Sequence, residues 1–527
     1  MTSNRDPMTR DSMSCRRTRQ QRLRPILVLA LVFAWPLLAA AGARPAHPGC
    51  DEIDARQCVA LAIAAMGGRT ALAAILNAQT DIIGHTLLTE QSYRQAPFIT
   101  SYTRNRTSVD FAKARVLMDS QNVWPESDPD TASAEFRAIV VSTPAAAVVR
   151  AGEEDQPGRQ AQIDAAKAKL ELGPERLLLT AEAASDLHFE ATENLRSTPH
   201  TVVAFLWDGA PVKVLLNGFN HLPDAIESTR AFNDFWNVWG DVAQRVYYDN
   251  WKLIGGIAYP TNRIEERNGV FWSSSQVLEA NFNIALEDRA FAMDPAAAAK
   301  SAQPRSTAFD QTAHVELAPG VDLYQGGYNI TVIRQDDGML LLEAPGSPAF
   351  VKNVLAKLRA DNPTLPIKAV LTSSDSWPHI GGVRQAVAEN LPIYALDLNR
   401  PLLERLVSAP HLLQPDTLQA TPQPARWRVI SARTPIGSGA NRIVVYPLRG
   451  AASERQYMVY FPEHRLLYAS DTLVLDPDKH TLYDPELMHE VVQAVDREHL
   501  QVDTVYAMHN GPAPWGEVVQ LVAAAAS

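Results

Sequence analysis

The alternation of apolar and polar positions changes character twice along this chain of 527 residues. Between residues 60 and 80, apolar residues recur at helical spacing around a Gly-Gly pair, which predicts two short helices. Farther along, apolar and polar residues alternate in long runs separated by Asp-Gly and Asn-Gly pairs, which are hairpin signals. This pattern predicts a large, curved antiparallel sheet with a helical interruption near residues 155–195.

A second change of pattern divides the chain. Residues 293–313 are rich in Ala, Pro, Ser and Gln and lack apolar periodicity, which is typical of a linker. Beyond it, short apolar strands alternate with amphipathic helices, as in a layered sandwich. We therefore predict a mixed α+β or α/β chain: a mostly antiparallel β domain over residues 51–292, the linker, and an αββα sandwich over residues 314–527.

The first 43 residues carry a different signal. A basic segment precedes the apolar run "ILVLALVFAWPLLAAA", and Ala41-Gly42-Ala43 matches a signal-peptidase site. Pro36 and the shortness of the run make it a poor membrane span. The expected product is periplasmic or secreted, is cleaved after residue 43 and has no transmembrane span in its mature part.

Composition narrows the partners. The formal net charge of -11 disfavours nucleic acid and anionic membrane surfaces. With 46% hydrophobic and 20% charged residues the chain is an ordinary globular protein, for which we expect a small-molecule substrate or ligand. The oligomeric state does not follow from the sequence.

Cys50 and Cys58 remain after the predicted cleavage. If both lay on one helix they would be about 12 Å apart, too far to bond. A disulfide therefore requires that Cys50 lie outside the helix, and the sequence leaves both alternatives open.

The aromatic residues of the first domain cluster between residues 232 and 251. They either line an apolar groove for a hydrophobic ligand or form sheet core and cross-strand pairs, which aromatic residues favour. The cluster consists of Phe232, Phe235, Trp236, Trp239, Tyr247, Tyr248 and Trp251.

Four segments of the second domain, in order, resemble the metallo-β-lactamase superfamily over residues 315–520. They are "GMLLLEAPG", with Glu343 where the family commonly has Asp, "VLTSSDSWPHIGGVRQ", "YMVYFPEHRLLYASDTL" and "TVYAMHNGP". The resemblance implies the αββα fold and the hydrolase chemistry that the family builds on metal ions.

The same resemblance implies a degenerate metal motif. Ser374, Ser376 and Ala452 stand where the family has the three His ligands of its first metal, so that site is expected to be empty. At the second site Pro378 replaces an Asp. His379, Asp471 and His509 are retained there, and two imidazoles with one carboxylate suit one zinc ion, or iron as an alternative.

Two functions follow from this resemblance. The first is an exported hydrolase with at most one metal at His379, Asp471 and His509, in which Asp471 and His379 are catalytic and an ester, amide, thioester or phosphoester is cleaved. The second is a non-catalytic scaffold that holds a small or hydrophobic ligand, with no metal.

Simpler explanations exist for the same residues. His379 could end a strand, Asp471 could cap a helix, and His509 could bond a backbone carbonyl. A metal-free relay of Ser374 or Ser376 with Asp375 and His379 is a further alternative.

Overall fold

The computed structural model describes residues 47–89, 100–123, 135–152, 154–303, 307–476 and 480–525. The predicted signal segment lies outside these residues. The described chain begins with helix α1, Ala55–Ala65, which has a capping box between Asp54 and Gln57, and helix α2, Arg69–Ala73. The predicted helix break lies between them, where both glycines have positive φ.

The disulfide question is decided by where α1 begins. Cys50 precedes the helix and is bonded to Cys58, with the two Cα atoms 5.5 Å apart. Both cysteines are buried among the side chains of α1. The alternative in which both lie on one helix is therefore excluded.

Fourteen strands form one antiparallel sheet, whose spatial order is β6-β5-β4-β3-β2-β1-β14-β13-β12-β11-β10-β9-β7, with β8 beside β9. The strand bounds are β1 Asn77–Leu87, β2 Thr100–Asp110, β3 Arg115–Val123, β4 Glu135–Ser142, β5 Ala147–Ala151, β6 Glu154–Pro157, β7 His188–Phe189, β8 Glu193–Leu195, β9 Thr198–Trp207, β10 Ala210–Asn217, β11 Pro223–Ala231, β12 Asp241–Ile254, β13 Ile257–Arg267 and β14 Val270–Phe282.

Helices interrupt this sheet where the sequence predicts them. Helix α3, Gln160–Glu171, and helix α4, Leu177–Ala183, stand between β6 and β7. Leu177 and Leu178 pack with α1 against apolar residues of β9 and β10. One face of the sheet thus carries helices and an apolar core.

The predicted linker is partly ordered against the sheet. It contains a short helix α5, Pro295–Ala299, whose first turn is capped by the Asp294 carboxylate, which accepts a hydrogen bond from the Ala297 amide. Ala297 is buried against Val141 and Val148. The segment predicted as a linker thus contains one helical turn, because a capped run of Ala residues forms such a turn where it has a surface to pack on.

Two further sheets follow. The first has the order β15-β16-β17-β18-β19-β20-β21 and is parallel from β18 to β21; the second has the order β22-β23-β24-β25-β28-β29. The bounds are β15 His314–Ala318, β16 Val321–Tyr324, β17 Ile330–Gln335, β18 Gly338–Leu342, β19 Ile367–Thr372, β20 Pro392–Leu396, β21 Arg426–Ile430, β22 Thr434–Ile436, β23 Ile443–Pro447, β24 Tyr457–Phe461, β25 Leu466–Tyr468, β28 Thr504–Tyr506 and β29 Ala513–Pro514, with the small pair β26 Leu475–Asp476 and β27 Thr481–Leu482.

Helices cover the outer faces of both sheets. The helices are α6 Pro348–Asp361, α7 Trp377–Ile380, α8 Val383–Ala388, α9 Arg400–Ser408, α10 Thr417–Ala420, α11 Pro485–Arg497 and α12 Trp515–Ala525. Along β18, Met339 and Leu341 face the helices, whereas Leu340 and Leu342 face the other sheet. The predicted fold class, a mostly antiparallel β region followed by an αββα sandwich, is confirmed.

A short 3₁₀ turn, Phe235–Trp239, between β11 and β12 contacts the sandwich. Val238 is buried in the helix-side core of the sandwich, and Phe235 and Trp239 pack against it. The Asp241 carboxylate accepts hydrogen bonds from the amides of Leu412 and Leu413 at 2.7 and 3.0 Å. Part of the aromatic cluster is therefore neither a groove nor sheet core but a contact that covers the second domain.

Candidate active site

The four segments that resemble the family meet at one edge of the sandwich. Glu343 follows β18, and the Ser373–Ser376 loop follows its parallel neighbour β19. Asp471 lies three residues after β25, and His509 three residues after β28, and these two strands are also parallel neighbours. Because parallel strands end at the same edge of a sheet, their following residues are brought together.

His379 lies on α7 and is completely buried. Its Nδ1 is 2.9 Å from Oε2 of Glu343, which is equally buried. The Glu343 carboxylate also accepts hydrogen bonds from the Tyr468 hydroxyl at 3.0 Å and the Ser373 amide at 3.2 Å. A buried carboxylate is stable only with such partners, so Glu343 is held in place and in turn orients the imidazole.

Asp471 lies between the two histidines. Its Oδ2 is 3.5 Å from Nε2 of His379, and its Oδ1 is 3.1 Å from Nε2 of His509. Its amide donates to Oε1 of Gln456 at 3.0 Å. The structure therefore brings together all three residues that the sequence predicts for the second metal site.

The charges of this cluster shift its titration. Burial alone would lower the pKa of His379, but the carboxylates of Glu343 and Asp471 outweigh it and hold that pKa well above its usual range. Burial alone would raise the pKa of Asp471, but the neighbouring imidazoles hold it below its usual range. The side chain of His509 is 31% exposed, so it is the member of the cluster that faces solvent.

The positions expected for the first metal do something else. Ser374 and Ser376 are buried, and the Ser374 hydroxyl accepts a hydrogen bond from the Ser376 amide at 3.2 Å. The amide of Ala452 donates to Oε1 of Glu490 on α11 at 2.9 Å, which ties its loop to that helix. Neither serine contacts His379 among the hydrogen bonds of the described residues, so the predicted Ser374 or Ser376 relay is not formed.

A guanidinium occupies this region instead. Nε of Arg455 donates to Oδ2 of Asp375 at 2.6 Å, and a second nitrogen of Arg455 contacts the same oxygen. Asp375 is 2% and Arg455 8% exposed. An internal cation therefore stands beside the loop in which the resemblance expects ligands of a metal cation. The signal in the sequence was a charged residue two positions before the apolar strand β24.

Aromatic rings cover the cluster. Tyr328 meets the ring of Trp377 edge-on at 5.3 Å and that of His509 at 5.8 Å. Phe235, from the first domain, stacks on Trp377 at 4.6 Å. A cavity of about 780 Å³ borders Tyr328 and is lined by residues of both domains and by the segment between them.

His379, Asp471 and His509 do not have the simpler structural roles that the sequence also allowed. His379 does not end a strand but lies in helix α7. Asp471 does not stand directly before any helix that the structure describes, so it is not a helix cap. His509 contacts Asp471 and Tyr328. Within the described part of the chain, no group of three or more His, Cys, Asp or Glu side chains is arranged to hold a metal ion.

No protein-family model and no curated protein matches the chain. Among solved structures, a metallo-β-lactamase from Pontibacter korlensis is 13% identical over 40% of this chain and 96% of its own, with a TM-score of 0.32. One from Hirschia baltica is 17% identical over 40% and 95%, with a TM-score of 0.30. A stereoselective inverting sec-alkylsulfatase from Pseudomonas sp. is 17% identical over 40% of each chain, with a TM-score of 0.30.

Two of these structures are metallo-β-lactamases and one is an alkylsulfatase. At these identities and TM-scores the likeness carries no argument about the activity of this chain.

Proposed function

We propose that this protein is a hydrolase of the metallo-β-lactamase type that binds at most one metal ion, through His379, Asp471 and His509. The observation that supports it is the position of Asp471 between the two imidazoles, at 3.5 and 3.1 Å. Two imidazoles and one carboxylate, which suit zinc or iron, thus meet at the strand ends where this fold places its chemistry. The substrate class is a small ester, amide, thioester or phosphoester.

The donor set fits a metal in kind. Nε2 of His379 is buried and has no hydrogen-bond partner, while Nδ1 faces Glu343. A carboxylate behind the distal nitrogen is the usual arrangement that orients a metal-binding imidazole. A bound metal would supply Lewis acidity. Glu343 would hold His379 in one tautomer, and the rings of Tyr328 and Trp377 would exclude water from that side.

A metal would compete with contacts that already exist, because each oxygen of Asp471 faces a different imidazole. Binding must therefore displace a proton from the cluster, so proton release should accompany metal uptake. The first-site loop has Ser374 and Ser376 where the family has imidazole ligands, and its carboxylate, Asp375, is already bonded by Arg455. This loop therefore supports a stoichiometry of one.

The test is elemental analysis of the purified mature protein after growth with zinc and, separately, with iron. We expect about one equivalent of metal, and unchanged content in Ser376→Ala, because Ser376 is not one of the three proposed ligands. Two equivalents of metal in the wild type would contradict the proposed stoichiometry. No bound metal after growth with zinc and with iron would contradict the proposed metal-dependent hydrolysis.

A non-catalytic scaffold is the second candidate, supported by the complete burial of His379 and by the large cavity beside Tyr328. Its volume of about 780 Å³ lies within the range of sites that hold small molecules. Absence of bound metal, together with no hydrolysis on ester, lactam and phosphoester panels, would favour this scaffold. Bound metal without hydrolysis would indicate a metal-dependent binding protein.

We further propose that the protein is exported. The signal-peptide pattern and the Cys50–Cys58 disulfide support this, because disulfides persist mainly in oxidising compartments. None of the helices in the described residues has the length and apolarity needed to cross a membrane. The protein isolated from the periplasmic fraction should have the intact mass of a chain that begins after Ala43, with one disulfide and no free thiol. The mass of a chain that begins at Met1, or two cysteine thiols that are alkylated without prior reduction, would refute export.

A further inference from the structure

A second cavity, of about 360 Å³, lies in the first domain, far along the chain from the candidate active site. It is bounded by strands β1, β2 and β11–β14 of the large sheet and by the end of α3 with the turn that follows it. Three cationic side chains line it, Lys169, Arg230 and Arg263, against one carboxylate, Glu265.

That carboxylate is already engaged. Oε1 of Glu265 accepts hydrogen bonds from Nε of Arg267 and from Nε2 of Gln244, both at 2.8 Å. Among the described residues, the Arg230 guanidinium donates to neutral oxygens, Oε1 of Gln244 at 3.4 Å and the main-chain oxygen of Asp164 at 3.5 Å. The cavity wall therefore has an excess of positive charge.

The other two cations have carboxylates in their surroundings, Glu175 and Glu265 for Lys169 and Glu175 for Arg263, but no direct ion pair. Neither Lys169 nor Arg263 forms an ion pair with the residues that the structure describes, and Arg263 donates only to the Tyr259 hydroxyl, at 2.8 Å. The Tyr259 hydroxyl in turn donates a hydrogen bond to Oε1 of Glu175 at 2.9 Å, so the Glu175 carboxylate is linked to Arg263 only through the phenol. Burial and, next to it, the charge of Arg263 lower the pKa of Lys169, as expected for two desolvated neighbouring cations.

An unsatisfied donor belongs to a residue of the cavity lining. Nε of Arg263 is buried and has no hydrogen-bond partner among the described residues. Buried polar groups are normally paired, and an unpaired guanidinium nitrogen is a strong donor for an oxyanion. Serine hydroxyls from β11 and β14 add neutral hydrogen-bonding groups to the lining.

We propose that this cavity binds a small oxyanion, a carboxylate or a phosphate group, through Lys169 and Arg263. An anion would relieve the repulsion between the two cations and satisfy Nε of Arg263 in one step. The first domain would then be a ligand-binding module in its own right. This proposal is independent of metal binding in the second domain.

Calorimetric titration of the full-length mature protein tests it, with inorganic phosphate, sulfate and acetate as probes against chloride at constant ionic strength. Lys169→Met should weaken binding by about tenfold or more, because one charge-assisted hydrogen bond is lost. Lys167→Met is the matched control: Lys167 lies on the same helix, but its ammonium is 3.5 Å from Asp208. Wild-type affinity in that control is expected.

Chemistry on the unmutated protein gives a second readout, in case Lys169→Met perturbs folding. Phosphate should slow acylation of Lys169 but not of Lys167, as followed by peptide mass spectrometry. Binding of phosphate but not of acetate would identify a phosphate-type ligand. Binding of acetate but not of phosphate would identify a carboxylate ligand. The proposal is overturned if no probe binds the wild type, if Lys169→Met binds as well as the wild type, or if Lys169 is not protected.

Discussion

Arg455→Met should lower the free energy of unfolding at neutral pH by about 3–5 kcal/mol, the usual cost of leaving one partner of a buried ion pair alone. Arg455 and Asp375 are 8% and 2% exposed, so water cannot replace the lost guanidinium. The measurement is chemical denaturation. Arg449→Met is the control, because Arg449 pairs with Asp397 at 2.7 Å where both side chains are about one-third exposed. That change should cost no more than about 1 kcal/mol.

The loss should depend on pH. Burial raises the pKa of Asp375 to about 6, although Arg455 opposes the shift. A carboxyl whose pKa is higher in the folded than in the unfolded state contributes stability at low pH, and this contribution is lost as the pH rises through the folded value. Removing Arg455 raises that pKa further, so the difference between variant and wild type should shrink below about pH 6.

A double variant separates charge from packing. Asp375→Asn combined with Arg455→Met removes both charges and should recover most of the stability at neutral pH, because apolar or neutral replacements of a buried pair are often tolerated. If the single variant costs no more than Arg449→Met, or if its cost is the same at all pH values, the pair is not the buried, charged contact described above.

Asp471→Ala should remove bound metal almost completely, and with it any metal-dependent hydrolysis. Asp471 is the only anionic member of the proposed ligand set, and each of its oxygens faces one imidazole. Without it, two imidazoles remain, which is too few for a stable zinc or iron site. Metal content after growth with zinc and with iron is the measurement, relative to the wild type and to Ser376→Ala.

Folding has to be controlled in this comparison, because Asp471 is itself buried. A melting curve and the far-ultraviolet circular dichroism of Asp471→Ala show whether the sandwich is intact, and Asp471→Asn keeps the shape while removing the charge. Metal retained in both folded variants would disprove the ligand assignment. This result would not affect the proposed anion binding in the first domain, because that proposal is tested separately with Lys169→Met.

Local patterns were sufficient to predict the order of elements. Strand alternation and hairpin pairs indicated the first sheet, and buried strands interleaved with amphipathic helices indicated the sandwich, because side-chain periodicity is set by the geometry of each element alone. The grouping of His379, Asp471 and His509 was predicted from the family resemblance. Asp471 and His509 follow neighbouring parallel strands, which end at one edge of the sheet, whereas His379 lies in α7. The segment around α5 was missed, because five residues of Ala-rich helix carry too little pattern to be distinguished from a linker.

Only the tertiary structure decided which charges meet. Glu343 and His379 are 36 positions apart and Asp375 and Arg455 are 80 apart, and no local pattern couples such pairs. Whether a buried charge is paired depends on packing between layers, which fixes side chains from different strands at hydrogen-bond distance. The same holds for Phe235, whose ring covers Trp377 from another domain, and for the unpaired cations Lys169 and Arg263. The sequence by itself determined the scaffold and the residues at its edge; packing determined that a guanidinium lies beside the loop where ligands of a first metal were expected.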